Sequence, residues 1–233
     1  MKQFAEDLGL EFKFDAMMNP RIDCSQSPLA VRLTSEEIVA LDLQDPKRVA
    51  EWQRFAQQFN GPSQPPEHSD EVYHCGGGIS SFAIDPDGKM SICVLSHFDA
   101  YDLRNGSFRE GWEDFLHTVR SKKITMMTKC NACQIKAVCG MCPANGELEN
   151  GDAEKPVEFL CEVAHLRAEL MGFPAPPHGD CEYCEGGAAH EDLKRSVARL
   201  ENSEIREILA TARSRSLPVI SNGASGCSSC SVN

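Results

Sequence analysis

The chain has 233 residues, with 12 cysteines, 35 acidic against 23 basic residues and a net charge of −12. That length allows one domain or two small ones with a core of their own, so the cysteines are not its only staples. The acidic balance argues against a broad nucleic-acid or anionic-membrane surface, which would need surplus Lys and Arg. No run approaches the ~20 apolar residues that span a bilayer. The first residues, Met1 to Asp7, carry no apolar signal core. The expected compartment is the cytoplasm, where clustered cysteines read as metal ligands or redox groups rather than as disulfides.

Residues 5–9 read as the last turn of a helix with a Gly9 stop, and residues 10–14 alternate apolar and polar as a strand does. A helix end running into a strand reads as the tail of something larger. Cys24, alone in a polar loop, reads as a spare surface thiol. Thr34 followed by Glu36 and Glu37 is an N-cap signal. A second helix is expected over residues 46–59, with Val49, Trp52, Phe55 and Phe59 as a core stripe. The stretch Asn60-Gly61-Pro62-Ser63-Gln64-Pro65-Pro66 is a linker and a first domain boundary.

Beyond it, Cys75-Gly76-Gly77-Gly78 offers backbone able to approach a bulky group closely. Residues 81–84 and 90–94 read as a hairpin about the turn Asp85-Pro86-Asp87-Gly88, which brings Cys93 back toward Cys75. Residues 107–119 form an amphipathic helix. Then comes the densest cysteine stretch, Cys130-x2-Cys133-x5-Cys139-x2-Cys142, followed by a polar turn over residues 147–152. Pro156 opens a helix running to Leu170, with Cys161 in its first turns. A Pro-rich linker at residues 172–177 precedes an isolated Cys181-x2-Cys184, a charged helix over residues 190–213 and a final Cys227-x2-Cys230. These two CxxC pairs have the residue types to share one zinc, but nothing in their spacing fixes a geometry.

Three chemistries compete for Cys75, Cys93, Cys130, Cys133, Cys139, Cys142 and Cys161. A tetrahedral zinc site usually joins two CxxC knuckles some ~15–20 residues apart. Here residues 134–138 alone separate the knuckles, and Cys75, Cys93 and Cys161 are left over. Disulfides fail on compartment. Iron–sulfur cubes take up to four thiolates each from distant segments, and fit better.

The order Cys75…Gly88-x4-Cys93…Cys130-x2-Cys133-x5-Cys139-x2-Cys142…Cys161 resembles the SPASM domain, the auxiliary-cluster domain of radical S-adenosylmethionine enzymes that modify peptides and proteins. The resemblance covers about residues 70–172. It departs from the family at Gly140-Met141, two residues where three are usual. The resemblance implies two [4Fe–4S] clusters. Cys75, Cys93 and Cys142 match the ligands of the first, and Cys130, Cys133, Cys139 and Cys161 match those of the second. It also implies an α+β fold: a small hairpin-and-helix cluster-binding domain over residues 70–172. Residues 1–60 would then be the end of a (β/α) radical-SAM barrel with connecting helices, and residues 173–233 a linker with a helical, disordered tail. The expected role is electron transfer and substrate positioning for a peptide or protein maturase. No CxxxCxxC triplet, which the family uses to bind S-adenosylmethionine, occurs in the sequence. That cofactor therefore belongs here only if a separate barrel subunit supplies its site. Expected partners are a peptide or protein substrate, such a subunit and an electron donor, with no nucleic acid and no membrane. The alternatives are a zinc-stabilised peptide- or protein-binding module and an inactive truncated fragment.

Overall fold

A computed structural model describes residues 1–59, 70–202 and 205–215. The expected linker at residues 60–66 falls largely outside them, and the pair Cys227/Cys230 wholly so. The fold is α+β, mostly helical with one small sheet. Among the described residues, no helix is long and apolar enough to cross a membrane.

The first 59 residues hold three α-helices: α1 (Lys2–Asp7), α2 (Ser35–Gln44) and α3 (Pro46–Phe59). α2 starts where the sequence says it should. Thr34 Oγ1 accepts from Glu37 N while Glu37 returns a carboxylate to Thr34 N, a capping box that satisfies two otherwise orphaned donors. The strand expected at residues 10–14 is absent. Among the described residues it has no neighbouring strand to pair with, and Leu10 lies exposed. The described segment therefore lacks the strand–helix alternation of a (β/α) barrel. The stripe on α3 is only partly core: Ala56 is buried, whereas Phe55 and Phe59 are exposed and pack on each other as tilted rings 4.5 Å apart. Cys24 is not at the surface but buried, in a left-handed backbone conformation with φ 60°.

The hairpin forms as expected, β1 (Ala83–Ile84) against β2 (Lys89–Ser91), with Gly88 supplying the positive φ of the turn. A third strand, β3 (Tyr101–Asp102), extends the sheet in the order β1-β2-β3, all antiparallel. The following helix runs from α4 (Phe108–Glu110) through a π-helical turn (Gly111–Phe115) into α5 (Leu116–Arg120), capped by Ser107. Leu116 and Val119 bury against Tyr73, Met90 and Ile92, which makes this lobe a core of its own. Gly77 is required by that core, since a Cβ there would lie 2.9 Å from the Ile92 carbonyl.

α6 (Lys129–Ala132) opens the dense cysteine stretch, and α7 (Pro143–Asn150) closes it. α7 occupies the place of the expected polar turn, because Glu147 and Leu148 are buried rather than solvated. α8 (Glu158–Met171) ends at Gly172, whose φ of 76° caps it in the left-handed region. It is the spine of the molecule. One face, with Val163 and Leu166, packs in a core shared with Ile38 and Val39 of α2. The other, with Ala164 and Ala168, packs beneath Ile135, Val138 and Trp52. The charged helix expected over residues 190–213 is present as two docked helices, α9 (His190–Glu201) and α10 (Ile205–Ser214). Leu193, Leu200, Ile208 and Leu209 bury against α8 and α2. Their narrow apolar stripes belong to helices that pack with one face only.

Two buried charges tie these layers together. Asp42, fully buried, accepts from Arg48 Nε at 2.7 Å and from Arg167 Nε at 2.9 Å. Arg167 also donates to the Val138 carbonyl at 3.0 Å and lies 4.2 Å above the Trp52 ring. Glu147 joins α7 to the sheet lobe. Its Oε1 accepts from Tyr73 Oη at 2.7 Å and from Ser96 Oγ at 2.9 Å, while Oε2 is buried with no partner. Burial holds the Glu147 carboxyl above the ordinary carboxylate range, against the lowering pull of the two hydroxyl donors. A carboxyl raised in the folded state binds its proton more tightly there than in the unfolded chain. Its burial therefore destabilises the fold increasingly as pH rises past the unfolded value of about 4.3. Glu147→Gln should flatten the fall of melting temperature with pH across that window and add stability at pH 7. An unchanged slope would show that the carboxyl is solvated.

Candidate metal centre

The dense stretch, the start of α8 and the segment after Gly172 enclose one cavity of about 200 Å³. It is lined by Cys130, Cys133, Cys139, Cys142 and Cys161, together with His165 and His178. Each cysteine is placed by backbone that could do little else. Cys130 lies in the single turn of α6, set by the Thr128–Asn131 capping box. Cys133 ends that turn, Cys139 follows a 3-10 turn over Lys136–Val138, and Cys142 is the N-cap of α7, where Pro143 supplies a pre-set first helical φ.

A common local geometry recurs at two further sulfurs. Cys75 Sγ accepts from Gly77 N at 3.4 Å, and Cys93 Sγ accepts from Leu95 N at 3.4 Å. In both cases a peptide N–H two residues on turns back on the sulfur, an arrangement that favours a thiolate over a neutral thiol. Burial works in the opposite direction on the other thiols. It pushes those of Cys130, Cys133 and Cys142 up, and that of Cys139 up to about 12. A bound cation would offset that cost by stabilising the thiolates.

Neighbouring thiols add to the effect of burial. Cys75 and Cys93 are near enough to Cys142 for their charges to raise it further. Cys130 and Cys133 act in the same way on Cys139, whereas at Cys161 Lys129 opposes burial and both Cys181 and Cys139 reinforce it.

A different set of side chains closes round a single point. His165, His178, Cys181 and Cys184, all buried, offer ligand atoms that lie within 4.8 Å of one another. Among the described residues it is the one group of three or more such atoms gathered so tightly. This His/Cys cluster can hold a metal ion. The seven cysteines of the family pattern are not gathered round a point in this way. Wider spacing is what a polynuclear cluster requires, because each thiolate there binds a different iron.

The pair Cys181/Cys184 is therefore not isolated. Cys181 Sγ stands 3.8 Å from Cys161 Sγ, and its segment lies against α8. The loop is built for that position. Cys184 N donates to the Cys181 carbonyl, Gly187 N to the Cys184 carbonyl and Ala189 N to the Glu182 carbonyl. A Cβ on Gly187 would sit 2.2 Å from the Glu182 oxygen, so only glycine closes the turn. Lys129, buried and paired with Glu158, adds positive charge beside Cys161 and Cys181. Reasoning from sequence missed His165 and His178. The spacing His178-x2-Cys181-x2-Cys184 was the available signal, together with Cys161 and His165 one helical turn apart on α8.

Comparison of the chain with known protein families, curated proteins and solved structures finds no match, so the site is read from its own residues.

Proposed function

We propose that the chain is the iron–sulfur auxiliary portion of a radical S-adenosylmethionine peptide or protein maturase, SPASM-like in its cysteine order and acting in the cytoplasm. The observation that carries this reading is the gathering of five cysteines, Cys130, Cys133, Cys139, Cys142 and Cys161, in the wall of one cavity, with backbone N–H groups donating to the sulfurs of Cys75 and Cys93. Backbone donors aimed at thiolates suit cluster ligation, and hydrogen bonds to sulfur are among the features that set a cluster's potential. The two thiol neighbourhoods, Cys142 with Cys75 and Cys93, and Cys139 with Cys130, Cys133 and Cys161, support the assignment of one four-iron cluster to each. Bound there, the clusters would supply one-electron acceptors. The chain's own part is to hold them apart, desolvate their thiolates and present a cavity mouth to a peptide. A separate barrel subunit with a CxxxCxxC, a peptide or protein substrate and an electron donor are the partners this role needs.

Anaerobically reconstituted protein should hold roughly eight iron and a matching amount of labile sulfide. It should release no 5′-deoxyadenosine from S-adenosylmethionine by itself. The His/Cys group gives a second reading, a zinc-stabilised peptide-binding module. Stoichiometric zinc with no labile sulfide on the seven cysteines would replace the first reading by the second.

A further inference from the structure

We infer that His165, His178, Cys181 and Cys184 form a closed, single-ion zinc site that pins the segment after Gly172 to α8, separate from any iron on the seven cysteines. Ligand atoms about 2.0–2.3 Å from a tetrahedral zinc stand roughly 3.3–3.8 Å from one another. Cys181 Sγ lies 3.6 Å and Cys184 Sγ 3.7 Å from His165 Nε2, and Cys184 Sγ lies 3.4 Å from His178 Nδ1. The two distances from His165 Nε2 are edges of such a tetrahedron, and the contact at His178 Nδ1 packs its ring beside Cys184, with a ring nitrogen of His178 within 4.8 Å of the other three ligand atoms.

The ligand chemistry agrees with the distances. His165 Nδ1 donates to the Cys161 carbonyl at 2.8 Å, which leaves the lone pair on Nε2, the nitrogen that faces both sulfurs. A backbone carbonyl that fixes the tautomer in this way is the usual outer partner of a zinc-bound imidazole. His178 Nδ1 lies 3.0 Å from the Pro176 carbonyl, and its Nε2 is buried with no hydrogen-bond partner. A buried, unpartnered imidazole nitrogen is costly unless a metal or a donor meets it. Two thiolates and two neutral imidazoles leave a zinc ion with no net charge to bury, which suits a site whose members are all buried. Four buried protein ligands fill the tetrahedral set of a zinc ion, so the site is structural rather than catalytic.

Cys161 is the competitor. Its sulfur reaches Cys181 at 3.8 Å, but it does not belong to the mutually close set. The segment from Gly172 to Ala189 has no helix or strand of its own. A metal joining His178, Cys181 and Cys184 to His165 is what fastens it to the spine.

The test uses the full chain, with metals counted by mass spectrometry and cobalt(II) used as a coloured probe of the same site. The expected result is one zinc per chain, and a cobalt spectrum of tetrahedral form with thiolate charge transfer from two sulfurs. Cys181→Ser combined with Cys184→Ser should abolish zinc binding while the protein still takes up its iron at saturating iron and sulfide. Cys161→Ser should leave zinc at one per chain. His178→Cys guards against a folding artefact: it should keep one metal and raise the thiolate-to-cobalt absorbance by about half, as three sulfurs replace two. Loss of zinc on Cys161→Ser, retention of zinc in the double serine variant, or an unchanged charge-transfer band in His178→Cys would each overturn the assignment. Iron and sulfide content reads the auxiliary-cluster proposal separately, so either can fail alone.

Discussion

Replacing Asp42 by alanine is expected to cost the fold roughly 3–5 kcal/mol, the range found when one partner of a buried ion pair is removed. Asp42 is the shared acceptor of Arg48 and Arg167, and Arg167 has only 3% of its surface exposed. Without the carboxylate, a guanidinium is left buried between α2 and α8 with the Val138 carbonyl as its remaining hydrogen-bond partner. Domains hold only about 5–15 kcal/mol in total, so the loss is a large share of what there is. Thermal unfolding measures it, and a change under about 0.5 kcal/mol would show that the pair is hydrated in solution. Pairing Asp42→Leu with Arg167→Met should recover much of the loss, because apolar groups of similar volume carry no desolvation cost. The same substitution reaches the candidate metal centre, since Val138 precedes Cys139. Asp42→Ala should therefore lower iron uptake as well as stability.

The second large effect concerns the division of the thiols. Cys142→Ser and Cys139→Ser should each reduce reconstituted iron from roughly eight to roughly four per chain, and each should erase a different paramagnetic signal after reduction. The expectation follows from the neighbours. Cys142 has Cys75 and Cys93 as its charged thiol neighbours, whereas Cys139 has Cys130 and Cys133. Identical losses of signal from both variants would mean a single site, and would undo the assignment of two.

Local signals in the sequence proved reliable where one short-range interaction decides the outcome. The Thr34 cap, the Asp85–Gly88 turn and the helices expected from residue 107 and after Pro156 lie where the residues place them. What could not be read was set by distant packing. Residues 10–14 have the alternation of a strand, but a strand needs a partner and none lies beside them among the described residues. The segment after Asn145 is polar in composition, yet Glu147 is buried because Tyr73 and Ser96, more than fifty residues upstream, supply its hydrogen bonds. The same holds at the metal centre. The cysteine spacing was conspicuous, whereas His165 sits inside an ordinary amphipathic helix and His178 in a Pro-rich stretch. Only the docking of that stretch on α8 brings the two imidazoles to Cys181 and Cys184.

Cys161 and His165 stand one turn apart on the same rigid helix, with 3.7 Å between Sγ and Nδ1. With the ligand sets proposed here, α8 becomes a common arm of two binding equilibria. An ion that fixes the helix at His165 also fixes the position from which Cys161 must reach, so the second ligand set closes with less entropy left to lose. Such coupling is reciprocal by thermodynamic necessity: whatever iron does to the affinity for zinc, zinc does to the affinity for iron. Neither dissociation constant is then a property of its own four ligands, and the order of metal loading is written into a helix fourteen residues long.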